Sequence, residues 1–229
     1  MGYHFYFINK FLALLGLDHF AHDFQHVTHT WFVMALMIGG VILICKNLTV
    51  IPSDRQNILE MIVEKLENFV ITITGYNGRF LVPYIATVFL FILISNLLGL
   101  IPGFFSPTAN LNTTLALAIC TFCYTHVIGV RQHGVKYLKQ FVGPILWLSP
   151  LMIPIEIIGH FSRVLSLSIR LFGNIFGKES VIGILFVLAG MFFAPLPVLF
   201  LGILFSFIQA LVFSLLSMIY FSMAMEDAH

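Results

Sequence analysis

Charge is what this sequence has least of. Lys, Arg, Asp and Glu make up 9% of its 229 residues, against about 25% in a soluble globular chain, so a water-facing surface cannot be coated. An ordinary soluble domain is excluded. With 59% hydrophobic residues and a mean hydropathy of +1.01, the solvent must be lipid. The two signs nearly cancel, 11 basic against 10 acidic residues, which leaves neither a basic stripe for nucleic acid nor an acidic solvating tail. Cysteine is scarce as well: Cys45, Cys120 and Cys123 are too few and too deep in apolar sequence for a disulfide framework. Cys120 and Cys123 have redox-motif spacing, but inside a span they read as small packing residues. The opening segment places one Lys before a short apolar run and lacks the n-region and cleavage site of a secretory signal, so the N-terminus is expected to be mature. No internal repeat or low-complexity tract is visible.

Long apolar runs are what the sequence has in abundance. An all-α, polytopic membrane protein is expected, with about five membrane helices and one interfacial amphipathic helix in a single membrane domain. Residues 1–27 form an outer N-terminal segment, and 28–46 the first span, with His29 and Trp31 at one edge and Lys46 at the other. In 47–79, Asp54, Arg55, Glu60, Glu64, Lys65 and Glu67 interleave with Ile58, Met61, Ile62, Val63, Leu66 and Val70, the pattern of an interfacial helix. A helical hairpin follows over 80–130, turned by Pro102, Gly103, Pro107 and Asn110. The last unit, 144–225, is a second hairpin turned near Pro195 and Pro197. A helix from about Pro154 to Ala189 would measure about 50 Å against a hydrocarbon core of about 30 Å. It must tilt steeply, as must the helix after Pro197, which suits a first helical turn. Lys46, Arg55, Lys65 and Arg79, and then Arg131, Lys136 and Lys139, mark two basic connections, whereas 101–112 has none. Both basic connections are expected in the cytoplasm, with the N-terminus outside and the C-terminus inside.

Between Lys139 and Glu226 the only charged residues are Glu156, Arg163, Arg170, Lys178 and Glu179. Glu156, Arg163 and Arg170 recur every seven positions and drift only about 20° per heptad, so they share a helix face. Gly159, His160, Ser166, Gly173, Asn174 and Gly177 fall on or beside it, and Glu179 lies opposite Arg170. On the last helix Gly202, Ser206, Gln209, Ser217 and Tyr220 lie within about 80° of one another, so two polar faces can line one water-accessible seam. Ionisable groups at membrane depth usually face a cavity or an ion path. A structural ion-pair ladder would account for Glu156 with Arg163 but leaves Arg170, which cannot shed its proton, without an anion.

The run SRVLSLSIRLFGNIFGKES resembles the signature of subunit a of the F-type ATP synthases. FIQALVFSLLSMIYFSMAMEDAH resembles that family's last helix, and NLLGLIPG at 96–103 also fits. The resemblance covers about residues 28–229. It implies a non-catalytic, cofactor-free stator subunit whose two tilted helices wrap a ring of c subunits and supply two offset aqueous half-channels. Peripheral-stalk subunits of the b type, the rest of the synthase and lipid would be its other partners, in a bacterial plasma membrane, and nucleic acid would not be one. Matched position by position, Arg170 is the essential arginine and Gln209 the glutamine facing it, while Asn174, Glu179, Glu156, Ser166 and Tyr220 match polar family positions. His160 and Arg163 adjoin them. The ion is read as a proton, with sodium left open because the rotor subunit that coordinates the ion is a separate chain. Two departures are visible: Gly202 stands where some members carry a histidine, and Asn110 where others carry Asp. The outer half-channel is therefore expected to use fewer titrating groups, with water filling the space.

An alternative is a secondary transporter binding an anionic substrate at Glu156 and Arg163, but such folds show internal repeats, and none appears. His19, His22, His26 and His29 would share one helix face, which makes zinc conceivable. Without cysteines or a supporting second shell, the preferred reading is a helix end at the outer surface, with no metal. His160, beside Glu156 and Arg163, is either a proton relay or a hydrogen-bonded polar residue.

Overall fold

The computed structural model describes residues 25–46, 54–101, 103–134, 137, 149–189 and 195–226. Among these, six α-helices follow one another: α1 (Gln25–Cys45), α2 (Asp54–Thr74), α3 (Val82–Leu98), α4 (Leu111–His133), α5 (Ser149–Ala189) and α6 (Pro195–Met225). Five segments are long and apolar enough to cross a membrane, and α2, with its interleaved carboxylates, is not one of them. The chain is a polytopic, all-α membrane protein.

Local chemistry sets the boundaries. Gly75 stops α2 in a left-handed conformation (φ 73°) that side-chain-bearing residues resist. Asn110 caps α4, its side-chain oxygen accepting from the Asn112 amide at 2.9 Å, as N-terminal amides require. An aspartate would cap equally well, so the Asn110 departure leaves the turn intact. α5 begins at Ser149 rather than near Pro154, which lies inside it. Just past the first turn, it gives up one amide hydrogen bond and its ring crowds the carbonyl four residues back. With 41 residues at 1.5 Å rise, α5 measures about 60 Å, twice the hydrocarbon thickness, and cannot stand upright in it. α6 starts at Pro195, with Pro197 in its first turn, and ends at Met225.

α6 is the hub, packing against α2, α3, α4 and α5. Phe213 and Ala210 of α6 meet Ile92 of α3 and Leu171 and Ile175 of α5 in one core; Met218 and Phe221 meet Val70, Leu81 and Ile85 in a second. The connection between α3 and α4 folds back into the bundle as a buried 3₁₀ turn, Pro107–Ala109, against which α5 and α1 pack. His29, near the start of α1, is buried with its ring edge-on to Phe105. His19 and His22 lie outside the described residues, and among the described ones no His, Cys, Asp or Glu group of three or more is arranged to hold a metal. Cys120 and Cys123 are exposed on α4. They face outward at span depth and do not pack inside the bundle.

Candidate functional site

The long α5 carries Glu156, Arg163, Arg170, Lys178 and Glu179 and contacts the bundle mainly with one side. Leu167, Ser168, Leu171 and Ile175 are buried, one helical face. Arg170 falls beside that face and is exposed. Among the described residues it has neither a hydrogen bond nor an ion pair. Around it the surface is small: a Cβ added at Gly173 or Gly177 would meet nothing within 4 Å, and Ser166 and Asn174 are exposed. A guanidinium on a smooth, open strip is shaped to receive another helix and its anion.

One turn beyond, Asn174 Nδ2 donates to Gln209 Oε1 at 2.8 Å. Gln209 therefore pairs with Asn174 and not directly with Arg170. The α6 stripe is not an open, watery face. Ser206 and Ser217 are fully buried and Gln209 is 5% exposed, while Ser206 and Ser217 donate to their own helix carbonyls at Gly202 and Phe213. Small residues that satisfy themselves let α6 sit close to its neighbours, so the stripe is mainly a packing face.

Toward the C-terminal end of α5, Glu179 points into the bundle, away from Arg170. Its Oε1 accepts from the Ser106 amide at 3.2 Å. Gly99 makes room for it, since a Cβ there would lie 2.7 Å from that oxygen. Ser106 Oγ donates to the Ser95 carbonyl at 2.9 Å, and Thr108 Oγ1 donates to Asn96 Oδ1 at 2.6 Å. Lys178 Nζ reaches the Asn96 carbonyl and Ser206 Oγ, both at 3.3 Å. Asn96 Nδ2 and Ser95 Oγ are buried without a hydrogen-bond partner among the described residues, the condition that attracts buried water. The space at Gly202 is not left to water: its missing Cβ would meet Leu100 at 2.6 Å and the Lys178 stem at 3.3 Å. A second ionisable group thus sits beside Glu179.

Toward the N-terminal end, Glu156 Oε1 lies 3.4 Å from His160 Nε2, and Arg163 stacks over the Tyr220 ring at 5.7 Å. No ion pair joins Glu156 to Arg163 among the described residues, so the structural ladder is not formed there. His160 also faces His126 of α4, ring centroids 5.0 Å apart, and His126 Nδ1 lies 2.8 Å from the Tyr137 hydroxyl. Sequence reasoning missed Asn96, Ser106, Thr108 and Lys178 at one end and His126 and Tyr137 at the other. Ser95 and Asn96 are adjacent polar residues in a largely apolar run, and His126 is the one histidine within 113–130. Those were the available signals. Tyr137 had none.

The family described as ATP synthase A chain matches residues 27–222. The chain is 52% identical to the ATP synthase subunit a of Desulfosudis oleivorans over the full length of both proteins. It is 58% identical to that of Syntrophobacter fumaroxidans, covering 89% of this chain and 85% of the relative. Against Geotalea daltonii the identity is 50% over 97% of this chain and 96% of the relative. With a family match over most of its length and relatives of this identity, the chain belongs to the ATP synthase A chain family.

Proposed function

We propose that this chain is the ion-translocating stator of a rotary F-type ATP synthase, offering two aqueous half-channels to the carboxylates of a c ring. The observation that carries it is the placement of Arg170. It stands exposed and unpaired on an open strip, between two polar clusters that face other directions. A rotor carboxylate must be neutral in lipid and ionised to release its ion. A fixed guanidinium opposite it favours the ionised form and repels a cation that would slip between the routes without turning the ring. The chain contributes no chemistry to ATP itself. The transmembrane potential supplies about 2.3 kcal/mol per charge per 100 mV, so several ions must be gathered for each ATP.

Glu179 serves the outer route and Glu156 the cytoplasmic one. They lie 23 positions apart, about 35 Å along the helix at 1.5 Å per residue, too far for one site. The N-terminus is outside and the C-terminus inside a bacterial plasma membrane, with stalk subunits of the b type beside the open α1 surface. The ion is a proton.

The test is ATP synthesis driven by an imposed ion gradient in vesicles bearing the whole complex. Arg170→Ala is expected to abolish coupled synthesis while the complex assembles, because the side chain is exposed and makes no hydrogen bond or ion pair among the described residues. Arg170→Lys is expected to rescue poorly, since an ammonium can lose its proton and lacks the planar fork. Synthesis at the unaltered rate in Arg170→Ala vesicles overturns the proposal.

A further inference from the structure

The N-terminal end of α5 contains more chemistry than the half-channel reading uses. His160, which pairs with Glu156, faces a side chain of another helix, His126 of α4, and that imidazole is held from behind. Tyr137 lies flat on α4 because Gly129 leaves the space: a Cβ there would come within 2.3 Å of the Tyr137 ring. The phenol is thereby 2.8 Å from His126 Nδ1. Burial raises the Tyr137 hydroxyl above its ordinary pKa, so it keeps its proton at neutral pH. Phe122 packs edge-on against both imidazoles, at 4.3 Å from His126 and 5.8 Å from His160, and fixes their separation.

Next to His160 is a cavity of about 20 Å³ lined by Thr121, Thr125, His160, Arg163 and Tyr220 among others. That is room for about one water. The groups facing the imidazole pair are Tyr137 from the segment after α4, Glu156, His160 and Arg163 from α5, and Tyr220 from α6.

We propose that His126, positioned by Tyr137, is a proton-relay residue of the route that also contains His160 and Glu156. The proposal rests on the stator reading above and adds to it a third helix, α4, and a proton-specific step. An imidazole takes a proton on one ring nitrogen and yields the proton from the other. A proton entering from the side of the α4–α5 connection thus passes through water to His126 or Glu156, from there to His160 and on to the cavity water, and each group ends with as many protons as it began. Sodium has no acceptor in such a chain.

The experiment uses the intact complex in liposomes, reading ATP-driven proton uptake as a function of pH on the side carrying the α4–α5 connection. His126→Gln can keep a hydrogen bond to Tyr137 but cannot titrate. It is expected to slow uptake on the order of tenfold, below the 10²–10⁴ typical of a proton-transfer group without substitutes, because Glu156 and water offer a bypass. It is also expected to erase the inflection that an imidazole gives between about pH 5 and 8. His126→Ala opens a space of the lost ring, and added 4-methylimidazole is expected to restore its uptake, which a merely structural residue would not allow. Gly129→Ala, which displaces Tyr137, is expected to shift the profile without erasing it. If His126→Gln leaves rate and profile unchanged, or methylimidazole restores nothing to His126→Ala, the relay is wrong. Should Arg170→Ala still be inactive in the same vesicles, the stator reading stands. If Arg170→Ala is active, both fall.

Discussion

The two ends of α5 hold similar inventories of polar residues and build opposite environments from them. Around Glu179 the partners are backbone and short hydroxyl or amide side chains on a 3₁₀ turn, all buried: Asn96, Ser106 and Thr108 are 0% exposed. Around Glu156 the partners are rings, His160, His126, Tyr137 and Tyr220, and the Glu156 side chain itself is 36% exposed. The first arrangement fixes one carboxylate by geometry and leaves two nearby buried atoms, Ser95 Oγ and Asn96 Nδ2, without a partner among the described residues. The second surrounds a carboxylate with groups that can exchange its role. A route that depends on one group is vulnerable at that group; a route with several is not. Arg170 belongs to neither, and its isolation separates them.

That contrast breaks most visibly at the carboxylates. Glu179→Gln is expected to slow gradient-driven ATP synthesis on the order of 10²-fold, the lower end of what a positioned proton-transfer group contributes, with assembly retained because glutamine can still accept from the Ser106 amide. Thr108→Val is expected to act next. It keeps the shape but strands Asn96 Oδ1, costing about 1–3 kcal/mol of stability. Thermal denaturation of the purified complex would register this as a lower Tm of the membrane sector, with synthesis impaired less than by Glu179→Gln. Glu156→Gln is expected to slow synthesis only about twofold to threefold, because His160, His126 and water replace part of a general acid–base contribution. Equal losses at Glu156 and Glu179 would mean that the two ends do not differ in redundancy.

Much of this was legible in the residues. The spans follow from apolar length, and the ends of α6 from Pro195, Pro197 and Met225, because hydrocarbon thickness and proline geometry act locally. Glu179 lying away from Arg170 is arithmetic on a helical wheel. What escaped is what depends on another element. Lys178 reads from sequence as a charge at a helix position; only the packing of α5 on α3 and α6 shows its stem filling the space at Gly202. Ser206 and Ser217 read as water-facing because hydroxyls usually are, yet each bonds its own helix and serves close packing. Glu156 and Arg163 read as a pair from their heptad spacing, but His160, one turn from Glu156 on the same helix, is nearer, and Tyr220 offers Arg163 a ring face instead.

The smallest perturbation asks where water reaches, and leaves flux intact. In a chain whose native Cys45, Cys120 and Cys123 are replaced by serine, a single cysteine at Ser180 sits one residue past Glu179. Among the described residues Ser180 bonds only its own helix, at the Phe176 carbonyl, so sulfur for oxygen there is mild. A cysteine at Gly159 sits one turn past Glu156, where a Cβ meets nothing within 4 Å. Neither change is expected to alter ATP synthesis measurably. Thiols react as thiolates and therefore only where water ionises them, so a membrane-impermeant maleimide maps the routes. Ser180→Cys is expected to label only from outside and Gly159→Cys only from the cytoplasmic face. Gly173→Cys, beside Arg170 on the strip that the ring would cover, is expected to label from neither side in the assembled complex and to become reactive when the ring is removed. If Ser180→Cys and Gly159→Cys label from the same side, the two clusters share one aqueous entrance. The contrast between them would then be one of local packing alone, with family membership untouched.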